Sequence, residues 1–218
     1  MSEIFTYLPS LLNAFVSDRL SFNHVHWSST AGTVMQLALE RVMKRREEQA
    51  REVLLDELRK GRKTEYEAAS EDEAAAILFR YLRAAQEGTA RRNLRLMAQV
   101  IRKQLEACNL VASEFLYFAG LFEDLRREEI LILSTMWRNR SAEPVGRGGA
   151  WSATIRELSG TSAFPDGEML YAFAIGLMRH GLLRLLSGFD GTNTPELTVL
   201  AAKIVSLCDV EAACGELD

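Results

Sequence analysis

A chain of 218 residues with 48% hydrophobic and 26% charged side chains is long enough to bury at least one sizeable core. With only 4 Pro and 14 Gly among plentiful aliphatics, it is not collagen-like, mucin-like or wholly disordered. A formal charge of −4 is too small to declare a nucleic-acid or membrane partner, although residues 41–103 carry 16 basic side chains against 11 acidic ones.

The opening stretch, MSEIFTYLPSLLNAF, has Glu3 and no basic segment ahead of its apolar residues, which makes a poor secretory signal. His24 and His26 flank Val25 and would share one face of a strand. No third ligand is spaced nearby, so a polar or half-buried pair is expected and no metal is assigned. A helix is predicted from about Thr33 to Lys60, stopped by Arg59 and Lys60 in the last turn and Gly61 beyond it. Its middle, Arg41 to Glu52, is almost all charge and cannot be surrounded by core. The helix should therefore project or lie along the surface, docked by Met35, Leu39 and Val42 at one end and by Val53, Leu54 and Leu58 at the other. Ser70 and Glu73 have the spacing of a capping box for a second helix, whose apolar face is Ile77, Leu78, Tyr81, Leu82 and Ala85 and which breaks at Gly88.

From Leu94 a heptad appears. Leu94, Ile101, Cys108, Phe115 and Phe122 occupy one seam position, and Met97, Gln104, Val111, Phe118 and Leu125 the other. The pattern fits a long helix in an antiparallel bundle within one chain, or a seam between two copies; Gln104 would set register in either case. Beside the stripe, Arg91, Arg95 and Arg102 fall within about 40° around the helix axis, extended by Arg92 and Lys103. Such a strip suits phosphate or an acidic partner, or is a solvated flank neutralised by neighbouring helices.

After Leu125 the texture changes. A helix is expected over Glu128–Arg140, a Gly-rich loop over residues 141–150, and a short helix over Trp151–Leu158. A turn then leads to a helix over Asp166–His180, followed by a strand over Leu182–Leu186, a tight turn over Ser187–Gly191 and a return strand over Pro195–Leu197. Thr198 would cap a last helix, Val199–Leu207; Thr194 ahead of Pro195 is an equally good cap and would delete the return strand. The most apolar window, Tyr171 to Leu186, is interrupted by Arg179, His180 and Arg184 and falls short of the ~20 residues that span a bilayer. Cys108, Cys208 and Cys214 have neither disulfide-framework nor zinc spacing, so free and mostly buried thiols in a reducing cytoplasm are expected.

Three helices, then Gly181-Leu182-Leu183, a glycine turn, and Glu196-Leu197-Thr198 leading into a helix: over about residues 125–208 this order resembles a winged-helix domain. The resemblance implies DNA binding through the third helix. That helix should bury Met169, Leu170, Phe173, Ala174 and Leu177 and expose Glu168, Ala172, Ile175 and Arg179, flanked by Tyr171 and Gly176. Only Arg179 has base-reading chemistry there, and Asp166 and Glu168 have the wrong sign for phosphate.

No nucleophile elbow, phosphate-binding loop, dinucleotide fingerprint or metalloprotease motif is present. The expectation is a mainly α protein: a long-helix bundle with a heptad seam over residues 1–125, then a winged-helix-like domain with a small β-hairpin over residues 126–218. Its expected role is a non-enzymatic, cytoplasmic interaction or regulatory module, homo-oligomeric or bound to a protein partner, with no cofactor and no membrane. The alternatives are a DNA-binding regulator using the basic helices of residues 41–103, and an enzyme with an unrecognised site.

Overall fold

The computed structural model describes residues 30–61, 71–141, 148–187 and 193–215, with side chains of the first helix described from Leu39 onward. His24, His26, Ser70 and most of both glycine loops lie outside the described residues, and the side chain of Met35 lies outside the described side chains. The described chain is mainly helical with one small antiparallel sheet. It divides into two compact units, one of Met1–Glu123 with Leu217–Asp218 and one of Asp124–Glu216.

The first unit contains α1 (Thr30–Lys60), α2 (Glu71–Glu87), α3 (Arg91–Glu106) and α4 (Ala112–Asp124). Helix α3 lies at its centre, with every residue from Asn93 to Ile101 buried. Around it, Ala50, Val53 and Leu54 of α1, Ile77, Leu78 and Tyr81 of α2, and Phe115, Phe118 and Phe122 of α4 are almost fully removed from water. Polar ties fix the directions. Tyr81 donates its hydroxyl proton to the Ala50 carbonyl at 2.9 Å, the Glu73 carboxylate accepts from the Ala112 N–H in the first turn of α4, and Asn93 Nδ2 donates to the Phe122 carbonyl at 2.7 Å.

Three expectations fail in this unit. Leu39 and Val42 do not dock: they are 60% and 47% exposed, and the first buried side chain among those described in α1 is Ala50. The heptad helix is not continuous either. It breaks after Glu106 in a turn where Cys108 N–H reaches the Leu105 carbonyl at 3.0 Å and Asn109 N–H reaches the Gln104 carbonyl at 3.0 Å. These paired bonds close a helix through a left-handed residue, the role Gly88 plays after α2 with φ 97°. Here Cys108 takes it with φ 51° and is exposed, against the expectation of a buried thiol; Cys208 is buried and Cys214 half-buried. The heptad phase nonetheless survives the turn, because α4 folds back with its aromatic residues on the core side.

The second unit contains α5 (Arg127–Arg138), α6 (Gly149–Leu158), α7 (Gly167–Arg179), β1 (Leu183–Ser187), β2 (Asn193–Leu197), α8 (Val199–Leu207) and α9 (Val210–Cys214). Helix α5 is its hub, with Ile130, Ile132, Leu133 and Met136 wholly buried. Asp166 caps α7 by accepting from Met169 N–H at 2.7 Å. The helix ends in the same paired-bond closure, Gly181 N–H to Met178 at 2.9 Å and Leu182 N–H to Leu177 at 2.9 Å, with Gly181 at φ 72°. That closure turns Leu182 and Leu183 into the core, at 0% and 3% exposure, before the chain pairs Leu183 with Leu197 and Ser187 with Asn193. Thr198, not Thr194, is the cap of α8: its hydroxyl accepts from Ala201 N–H at 3.2 Å and donates to the Gly181 carbonyl at 2.7 Å. Thr194 lies in β2, so the return strand stands.

Candidate functional site

The predicted basic strip is placed on α3, and α1 supplies its counter-charges apart from Glu106, which is on α3 itself. Arg95 Nη1 donates to Glu57 at 2.7 Å and to Asp56 at 2.9 Å. Arg102 lies 3.6 Å from Glu57 and 3.3 Å from Glu106, and Arg91 lies 3.9 Å from Glu52. Lys60 adds bonds of 2.9 Å to both Asp56 and Glu57. Glu57, only 2% exposed, thus faces three cations, and Arg95 is itself buried. The acidic partners come from the helix whose charged middle looked like mere surface; the i,i+4 spacing of Asp56 to Lys60 was visible in sequence, but the register of α1 against α3 was not.

This network holds α1 to α3. The Lys60 hydrogen bond, then that of Arg95, keeps the Asp56 carboxyl below its ordinary range, and the Glu57 bond raises Lys60. Burial pushes the Tyr81 phenol far above its usual value. These shifts stabilise the charge states already present at neutral pH.

Of the other predicted residues, Leu94, Met97, Ile101, Gln104, Phe115, Phe118 and Phe122 are all buried within this one chain. Gln104 joins the turn to α4, its Nε2 donating to the Val111 carbonyl at 3.3 Å and to Glu114 at 3.2 Å. Arg179 closes the exposed face of α7 and makes no ion pair with a described residue.

Two surfaces escaped the sequence reading in part. Between α2 and α4 lies an open groove of about 680 Å³, lined by Ala75, Ala76, Phe79, Arg80, Arg83, Glu87 and Leu116. Its charges are paired among themselves and with α4, Arg83 to Glu87 at 2.8 Å and Arg80 to Glu123, so the free character of the groove is apolar. Neighbouring Tyr117 is 56% exposed. On α7, Leu170, Ala174 and Leu177 are buried as expected, and Ile175, Ala172, Glu168 and Arg179 face water. Phe173 is half-buried, and Met169, expected in the core, is instead 44% exposed and widens the apolar face. At roughly 100° per residue Met169 sits a quarter-turn from the buried stripe, at its margin.

Among the described residues no three His, Cys, Asp or Glu side chains are grouped to hold a metal, and no helix is long and apolar enough to cross a membrane. Comparisons with protein-family models, curated proteins and solved structures return no match.

Proposed function

We propose that this protein is a non-enzymatic interaction module that works through protein–protein contacts. The supporting observation is a contrast of surfaces. The arginines of the α3 strip, Arg91, Arg95 and Arg102, are engaged by Glu52, Asp56, Glu57 and Glu106, while large apolar side chains (Phe79, Leu116, Tyr117, Met169, Ile175) are left facing water. Apolar surface of this kind on an element already held by a buried core is characteristic of a docking face. In this reading the first unit is an antiparallel helical bundle and the second a winged-helix-like module, three helices followed by a hairpin. Its third helix presents Glu168, Ala172 and Ile175 where a DNA reader would present Arg, Lys, Asn or Gln.

The test is twofold. Fluorescence anisotropy of random-sequence duplex DNA, titrated from low to physiological salt, should show no binding. A photocrosslinking residue at Tyr117 or Ile175 should give discrete protein adducts in an extract of producing cells. Duplex binding that falls steeply with salt and is removed by Lys44→Glu with Arg45→Glu, both exposed, would overturn the reading in favour of a DNA-binding regulator. Absence of protein adducts from both positions would overturn it as well.

A further inference from the structure

The exposed face of α7 reads the same in both directions. Glu168, Ala172, Ile175 and Arg179 follow one another at spacings of four, three and four. At about 100° per residue they fall within an arc of roughly 60° centred away from the core. The midpoint of this set lies between Phe173 and Ala174, so the first and last members are symmetric about it, and so are the two middle ones. The outer members carry opposite charges, Glu168 in the first turn and Arg179 in the last, both exposed and neither ion-paired to a described residue. Between them Ile175 is 48% exposed opposite the small Ala172.

We infer that this face binds the same face of a second copy of the chain, with the two α7 helices antiparallel across a two-fold axis. In that arrangement Glu168 of each copy meets Arg179 of the other, and each Ile175 packs against the other copy's Ala172, whose size lets the helices approach. Every contact occurs twice, as a two-fold interface requires. Across the axis each carboxylate nears the partner's helix C-terminus and each guanidinium its N-terminus, the ends the dipole disfavours for those charges, so the ion pairs rather than the dipoles set the orientation. Met169 and Tyr171 widen the apolar contact on either side of the ridge. The ridge is about 16 Å long, so the buried area belongs with weak, reversible associations and the expected dissociation constant is on the order of 10–100 µM. The inference rests on the protein-contact reading above and names its partner.

The experiment is sedimentation equilibrium on the full chain and on two charge reversals, Glu168→Lys and Arg179→Glu, with circular dichroism to confirm that each folds. Each reversal puts two like-charge pairs into the two-fold contact and should weaken self-association about tenfold. Mixed in equal amounts, the two variants regain both opposite-charge pairs, and the mixture should associate to within about threefold of the parent. A parent chain monomeric to about 1 mM overturns the inference. So does self-association that neither reversal changes; that result moves the interface off α7 while leaving the protein-contact reading intact. Salt-steep DNA binding by a monomer would sink both.

Discussion

Replacing Glu57 by Ala withdraws the one carboxylate that Arg95, Arg102 and Lys60 share, at 2.7, 3.6 and 2.9 Å. Removing one member of a buried ion pair costs about 3–5 kcal/mol, because the partner charge stays in a poorly solvating interior. Two features of this site moderate that figure. Asp56 continues to accept from Arg95 at 2.9 Å, and Lys60 is half-exposed and reaches water. A loss of about 2–4 kcal/mol is therefore expected. Amide hydrogen exchange read by mass spectrometry reports it locally: protected amides of α1 and α3 should exchange about 30- to 900-fold faster in the variant. Glu57→Met combined with Arg95→Met removes both charges and fills the space, and should exchange more slowly than Glu57→Ala alone. Acceleration of less than threefold in α1 and α3 would refute the reasoning, as would a double variant less protected than the single one.

Cys108→Gly should stabilise the first unit by about 1 kcal/mol, since glycine takes φ 51° without the Cβ penalty; urea unfolding would show a raised midpoint. Gly176→Ala should cost about 1–3 kcal/mol despite the better helix propensity of Ala. Its new Cβ would collide with Glu129 Oε1, on a buried carboxylate whose other oxygen accepts from Arg126 N–H at 2.8 Å at the start of α5; thermal unfolding of the second unit measures this. Asp56 has its carboxyl lowered in the folded chain, so its contribution is complete above the ordinary value of 3.8 and is lost as pH falls through the lower folded value. Asp56→Asn should flatten that acid-side decline in a denaturation series across pH, leaving the neutral-to-alkaline side parallel to the parent; an unchanged acid limb would contradict it.

Where local chemistry decides structure, the sequence was legible. Gly181 makes the left-handed closure that its lack of a side chain permits, whereas Asp166 is read from sequence as the first residue of α7 rather than its cap, and Thr198 has an equal rival in Thr194. The break between α3 and α4 was not legible, because the residue at its left-handed position is a cysteine and the usual glycine signal is missing. Periodicity ran straight across it, since a core that faces one way imposes the same spacing on a helix and on its folded-back successor. The arginine strip shows the other limit. Its shared face followed from helix geometry, but whether it met solvent, phosphate or carboxylate depended on how α1 lies against α3, a long-range fact. The exposed stripe of α7 was read nearly whole, with Met169 misplaced at its margin.

Opening the turn at residues 107–111 without changing a single residue would make α3 and α4 one straight rod. Phe115 and Phe122 would then continue the line begun by Leu94 and Ile101, and Phe118 the line begun by Met97, and all three would leave their own core. Two chains opened in this way would exchange fourth helices, each completing the other with the contacts it had given up. Closed and exchanged forms would share nearly the same buried surface, so the balance between them would rest on chain concentration and on the barrier to straightening five residues. A left-handed cysteine is a weak latch for such a hinge, and glycine at the same position would hold it shut.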